Sequence, residues 1–465
     1  MSPANHTLPY LLNSILTSIS SSSFTPTPFD PGFNITAVAE QAQLLPSHSW
    51  EFGTAVQAYL ELNSPLLSVF APTPFPVSNL PSSHVPALVY AEQKIILGSG
   101  VNGLADGDGA TGDPASLGVG AVLLGKTDAR FASAAASEID YLMNKAPRWA
   151  NGAISQRADV PNIWADFMFM APPFIAYYAA DTNDLSLLHS AYSQCGFYRE
   201  ILLFNSTSTS FSPIGTSPTN GLWRHIVGPQ GADPRPWSTG NGWAAMGMAR
   251  VLATLLKAPA AQDDKCEWCP AAIKDLSAWI KEILDGARAS QLEQGLLRNY
   301  LDIDNVSGDH NGRGFGEISG SAMLAAVAYR MVVHASNMFD AETYIAWADG
   351  IREVLAGNDS AGTPHVTRDG IVTPAVNPLG WWDTMPWTSG SPEGNNFAVL
   401  LYSAWRDCVY ASLCKKPPAF KTSGTRRSFS VPNPIQTYLI FGWDVRFTLA
   451  LFCFLRGLDY CYESR

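Results

Sequence analysis

The chain has 465 residues, 46% hydrophobic and 15% charged, a balance that describes a globular protein with a large core and excludes a disordered one. Its formal charge is −11, from 40 acidic and 29 basic residues, which argues against nucleic acid as a partner because that binding relies on clustered Lys and Arg. A small anionic ligand stays open, since a few local cations can reverse the field inside one cleft.

Residues 1–48 are rich in Ser, Pro and Thr and read as an irregular lead-in. Their apolar stretch lacks a basic n-region, so it makes a poor signal peptide, whereas N-x-S/T triplets at Asn5, Asn34, Asn205, Asn305 and Asn358 tilt toward secretion. Secreted and cytoplasmic locations both remain open.

From residue 49 to 414 apolar residues recur three to four apart in segments of helical length, separated by Gly/Pro/Asn loops. In order, the first are SWEFGTAVQAYLEL, PALVYAEQKIIL, PASLGVGAVLLG, DARFASAAASEIDYLMNK, NIWADFMFMAPPFIAYYAA and DLSLLHSAYSQCGFYREILL. Then come GNGWAAMGMARVLATLLK, PAAIKDLSAWIKEILDGARASQ, EISGSAMLAAVAYRMVVHA, DAETYIAWADGIREVLAG and SPEGNNFAVLLYSAWRDCVYA. Residues 240–256 and 318–333 are Ala/Gly-rich and nearly uncharged, whereas 271–291 and 340–355 carry a polar face. A helix apolar all round is buried, and one with a charged stripe faces water. The alternation fits two concentric rings, and we expect an all-α toroid of six helical hairpins, (α/α)6, with loops at one rim building a cleft.

Of seven cysteines, Cys266 and Cys269 form a C-x-x-C with no second pair to complete a zinc site, so a local disulfide or free thiols are expected; Cys408 and Cys414 are a second local pair. Residues 415–465 turn basic and Ser/Pro-rich and read as an appended tail. Within it, TYLIFGWDVRFTLALFCFL carries Asp444 and Arg446 near its centre, charges that are costly in lipid, so no integral membrane span is expected. No metal or cofactor is implied.

The chemistry concentrates in three loops. In NIWADFMFMAPPF, Asp166 is the one charged side chain between Asp159 and Asp181, set among Trp164, Met170 and three phenylalanines. Its plain reading is a cap or a partner of a distant Arg; its functional reading is a carboxyl kept protonated by apolar neighbours, as a general acid requires. Pro172 and Pro173 cannot continue a regular helix, so a kink or helix start is expected after Met170. In GLWRHIVGPQGADPRPWSTGNGW, Arg224, His225 and Arg235 share a loop with Trp223, Trp237 and Trp243, suited to gripping an anionic sugar, and Trp387 lies in a further aromatic loop. In DGDGATGDPASLG, Asp113 either starts a helix or faces Asp166 as a second carboxylate; Glu317 in GFGEISGSAM has the same two readings. Asp106 and Asp108 suggest a calcium loop but lack a Glu at its twelfth position.

Together IWADFMFMAPPF, GLWRHI, WSTGNGWAAMGMA and EISGSAML, over residues 50–412, resemble the six-hairpin glycosidases: family 105 of the glycoside hydrolases, the unsaturated rhamnogalacturonyl hydrolases, with family 88 as cousins. The resemblance implies an (α/α)6 barrel that removes 4,5-unsaturated uronic acid from the ends of pectin-type oligosaccharides. It places the proton donor on Asp166, the loop histidine on His225, the cleft tryptophan on Trp237 and an earlier acidic residue near Asp113. Where many members carry Arg two residues after that tryptophan, this chain has Thr239, so Arg224 or Arg235 must substitute or the substrate differs. The implied substrate is a vinyl ether: Asp166 protonates C4, charge develops at C5, and the carboxylate then steers water to C5. Two other readings stand beside this one: an inverting glycosidase using Asp166 with Asp113 or Glu317, and a non-catalytic carbohydrate-binding relative.

Overall fold

The computed structural model describes residues 24–105, 109–204, 221–262, 266–301, 314–382 and 385–417. They lie in the first of two compact units, 1–420; the second, 421–465, with the basic tail and its apolar run, lies outside the described residues, as do Asp106 and Asp108.

The helices are α1 (Ile35–Leu44), α2 (Ser49–Asn63), α3 (Pro86–Lys94), α4 (Gly112–Ala115), α5 (Gly118–Gly125), α6 (Ala129–Asn144) and α7 (Phe167–Thr182). They continue as α8 (Leu185–Leu202), α9 (Ser238–Leu255), α10 (Cys269–Ala289), α11 (Ile318–His334), α12 (Ala341–Leu355) and α13 (Pro392–Tyr410). Helices α2, α4–α5, α7, α9, α11 and α13 each pack on the next, and α13 closes on α2, forming the inner ring. Helices α1, α3, α6, α8, α10 and α12 lie outside it, so the chain runs outer then inner through six hairpins. The (α/α)6 toroid is the architecture read from the sequence.

Burial follows the same division. Every residue of α9 and all of α11 up to Val332 are buried, while α10 and α12 bury one stripe each. Small residues let the inner helices touch: a Cβ at Gly118 would collide with the Phe174 ring, and one at Gly247 with the Met168 carbonyl.

Two boundaries differ from the sequence reading. Helix α1 lies inside the stretch read as irregular lead-in; Asn34 caps it by accepting from Ala37 N, and it packs on α13 as the first outer helix. Helix α7 neither starts nor breaks after Met170 but runs from Phe167 through Pro172 and Pro173. Those prolines remove the donors that would reach the carbonyls of Met168 and Phe169. The α9 backbone lies against that segment at Gly247, so the neighbouring helix holds α7 where its own ladder is interrupted.

Two local disulfides, Cys266–Cys269 and Cys408–Cys414, close the pairs expected from spacing, and Cys195 is a buried free thiol. Among the described residues no helix is long and apolar enough to cross a membrane.

Candidate active site

All six inner helices start at the same rim, and their first turns gather acidic side chains there: Glu51, Asp113, Asp166, Glu317 and Glu393. A helix N-terminus carries partial positive charge and unpaired N–H groups, which favours carboxylates at these positions.

Asp166 precedes α7 at its N-cap position, its carboxyl 16% exposed. A two-stranded antiparallel pair, Ile163–Trp164 with Ile226–Val227, brings its loop to His225, and Ala165 N donates to the His225 carbonyl at 2.9 Å. The His225 Nε2 then lies 3.2 Å from Asp166 Oδ2. Neither buried atom makes a straight hydrogen bond, so this is a charge contact at close range. The acid that looked solitary among apolar residues therefore has an imidazole partner.

On the far side of that ring, His225 Nδ1 is 3.2 Å from Asp233 Oδ2, and Tyr300 donates its hydroxyl to the same oxygen at 2.6 Å. Arg235 Nε lies 3.5 Å from Asp233 Oδ1, with its guanidinium 3.7 Å from the Tyr300 ring centre. Burial alone would lower the His225 pKa, but Asp166 and then Asp233 outweigh it and lift it above the ordinary histidine value. Burial would raise Asp233; its bond from His225, with Tyr300 and Arg235, holds it below the usual carboxylate range instead.

Tryptophans enclose the imidazole. Trp237 sits 4.4 Å from it, Trp381 5.2 Å and Trp164 5.9 Å, centre to centre. Trp164 and Trp381 meet edge to face at 5.4 Å and are half-buried, and Trp382 beyond them is 58% exposed. Trp237 is buried, anchored by Nε1 to Asn299 at 2.7 Å, while Asn299 donates to the Trp381 carbonyl at 2.9 Å.

The other expected site residues divide. Asp113 lies half-buried in the first turn of α4 and accepts from Gln156 Nε2 at 2.7 Å; the preceding Gly112 abuts the ring of Phe167, next to Asp166. Glu317 takes its capping reading: it is fully buried and accepts from Ser319 N, Gly320 N and Ser238 Oγ at 2.6, 2.6 and 2.8 Å, with Thr239 Oγ1 at 3.4 Å. Trp243 offers no face to a sugar, because it is buried between Phe169 and Phe397 in the toroid core. Met170 is likewise buried on α7. Arg224 is half-buried, its amide on the Leu202 carbonyl, and Arg235 is the loop cation drawn into the His225 cluster through Asp233. Trp387 is part-exposed on a loop, bonded through Nε1 to Gly390 O at 3.0 Å.

Sequence reasoning did not single out Asp233, Tyr300, Trp381 or Glu393. Asp233 stood in the same loop as His225, eight residues on, which was the available signal. Glu393, in the first turn of α13, is buried with Oε1 accepting from Trp50 Nε1 at 3.3 Å; burial, then the charge of Asp166, pushes its pKa well up.

Residues 122–327 match the family model for Glycosyl Hydrolase Family 88, a span that holds Asp166, His225, Asp233, Trp237 and Glu317. This is a glycoside hydrolase related to family 88. Solved structures resemble the hydrolase along most of their length. A possible family 105 member from Salmonella enterica subsp. enterica serovar Paratyphi A str. ATCC 9150 aligns over 83% of this chain and 96% of its own, with TM-score 0.57 and 13% identity. A family 88 hydrolase from Bacteroides vulgatus covers 81% and 97%, with TM-score 0.56 and 14% identity. An unsaturated glucuronyl hydrolase specific for heparin covers 83% and 98%, with TM-score 0.53 and 9% identity. At such identities these structures support the fold of the hydrolase. No curated protein matches it in sequence.

Proposed function

We propose that the hydrolase removes a 4,5-unsaturated uronic acid from the non-reducing end of an oligosaccharide of the pectin (rhamnogalacturonan) type, with Asp166 as the acid. The carrying observation is the Asp166–His225 contact at 3.2 Å beside half-open tryptophans. A vinyl ether needs one group that first gives a proton to C4 and then, as its conjugate base, takes one from the water that attacks C5. Asp166 can do both, and no glycosidic nucleophile is required. Trp164 and Trp381 supply apolar faces for sugar rings. Glu317 is a poor second carboxylate for an inverting reaction, because its oxygens already receive the donors of the α11 cap.

The test follows loss of the ultraviolet absorbance of the conjugated enol ether across unsaturated disaccharides from rhamnogalacturonan and from heparin. Wild type consumes the rhamnogalacturonan product and Asp166→Asn does not. Wild-type rates in Asp166→Asn, or inversion of a saturated glycoside with every unsaturated one untouched, would end the proposal.

A further inference from the structure

Asp233 has no part in the reaction just described, yet it is the anchor of the cluster. It lies 8% exposed, with His225 Nδ1 and the Tyr300 hydroxyl on Oδ2, and Arg235 beside Oδ1. Tyr300 is itself fully buried, and Arg235 covers its ring. Carboxylate, imidazole and carboxylate thus follow one another, Asp166–His225–Asp233, with both contacts at 3.2 Å.

We propose that Asp233 is a positioning residue for the acid: by accepting from His225 Nδ1 it pins one imidazole proton there, which makes Nε2 the nitrogen that exchanges a proton with Asp166. This rests on the reading of Asp166 as the acid. Asp166 and His225 then hold one exchangeable proton between them. Its passage to Asp166 breaks Nε2–H, forms Oδ2–H and leaves a neutral imidazole whose remaining proton stays on Nδ1. Asp166 gives that proton to C4. The oxygen of water bonds C5 while a proton of the same water goes to the Asp166 carboxylate, and transfer back to Nε2 restores the starting pair. One water is added in the cycle and nothing is oxidised or reduced.

The groups facing His225 agree with that assignment. Asp166 approaches from the start of α7, Asp233 and Arg235 from its own loop, and Tyr300 from the segment before α11; Trp164, Trp237 and Trp381 supply only rings. Tyr198 and Glu393 feel the charge of Asp166 from behind it. Both carboxylates beside the ring raise its pKa, so the imidazole keeps its proton past the pH at which a free histidine loses it.

The experiment is a nitrogen-15 NMR titration of His225 in full-length wild type, Asp233→Asn, Asp233→Glu and Tyr300→Phe, alongside kcat/KM against pH on the unsaturated disaccharide. Asp233→Asn is expected to move the His225 titration, and the basic limb of the activity profile, to lower pH by about 1 unit, the usual size for loss of one adjacent opposite charge. Asp233→Glu should recover part of the shift. Tyr300→Phe keeps the ring and the carboxylate, so it guards against a misfolded Asn variant; it removes a competing donor from Asp233 Oδ2 and should give a smaller shift of the opposite sign, to higher pH. An unmoved His225 titration, or a uniform fall in kcat with the limb in place, overturns the proposal. If wild type consumes no unsaturated uronide, the functional reading fails, while the NMR arm still reports whether Asp233 pins the Nδ1 proton.

Discussion

The inner helices carry charge at both ends, and the two ends are built differently. At the rim, Asp166 and His225 face each other without a straight hydrogen bond, and Glu393 Oε2 is buried without a partner. At the opposite ends of the same helices, Glu61 is fully buried between Arg250 and Arg330. Arg330 goes on to Asp407 at 2.6 Å, and Arg406 reaches Asp407 at 2.9 Å and the Glu61 carbonyl at 2.6 Å. The Phe70 ring lies 4.4 Å from the Arg330 guanidinium. Acids at helix starts and arginines at helix ends both suit the helix dipoles. At the arginine end each guanidinium reaches a carboxylate through its terminal nitrogens, although Arg250 Nε and Arg330 Nε are buried without a hydrogen-bond partner. A network of short ion pairs holds the ring together, whereas a rim whose Asp166 and His225 atoms touch without a hydrogen bond retains the capacity to bind and to transfer protons.

The sharpest way to break this contrast is Asp166→Asn. It should cut turnover by about 10²–10⁴-fold, the usual worth of a general acid–base group, while the thermal midpoint stays near wild type; steady-state rates and a thermal melt check both halves. The mirror experiment is Glu61→Gln, which leaves two buried arginines short of their counter-charge and should cost about 3–5 kcal/mol of stability by denaturant titration, with kcat retained in the folded fraction.

A third test uses pH. Lys257, half-buried with Nζ on the Val69 carbonyl at 3.0 Å, has its pKa lowered to about 7 by desolvation and then by Arg330. From about pH 7 up to the ordinary lysine range the unfolded chain binds a proton there that the folded chain does not, so this residue makes stability rise with pH in that window. Below it the folded state must protonate a desolvated amine and the advantage is absent. Lys257→Met should flatten the slope of unfolding free energy above pH 7, read by denaturant titrations at several pH values. The smallest effect is expected at the rim: Trp381→Ala removes one aromatic face and should raise KM by about 2- to 10-fold with little change in kcat.

Much of the architecture was legible because burial writes itself into local pattern. The uncharged run 318–333 became inner α11, and the striped run 340–355 became outer α12, since a helix surrounded by others has no face on which to place a charge. Helix α1 was hidden only by its surroundings. Ile35, Val38, Ala39 and Ala42 keep helical spacing, but the Ser/Pro-rich residues ahead of them dominate the composition of that region. The prolines of α7 misled for another reason: what compensates them is the α9 backbone at Gly247, some 75 residues away in the chain.

The sequence by itself determined the alternation of buried and striped helices, the kinship with family 88, and the choice of Asp166 and His225 as residues of interest, because each of these is written in neighbours along the chain. Tertiary structure alone decided that Asp166 has a histidine partner, that Asp233 and Tyr300 stand behind it, that Glu317 is a cap and that Trp243 belongs to the core. Those outcomes depend on which side chains meet across the ring from different hairpins, and residue spacing along one chain carries no record of such meetings.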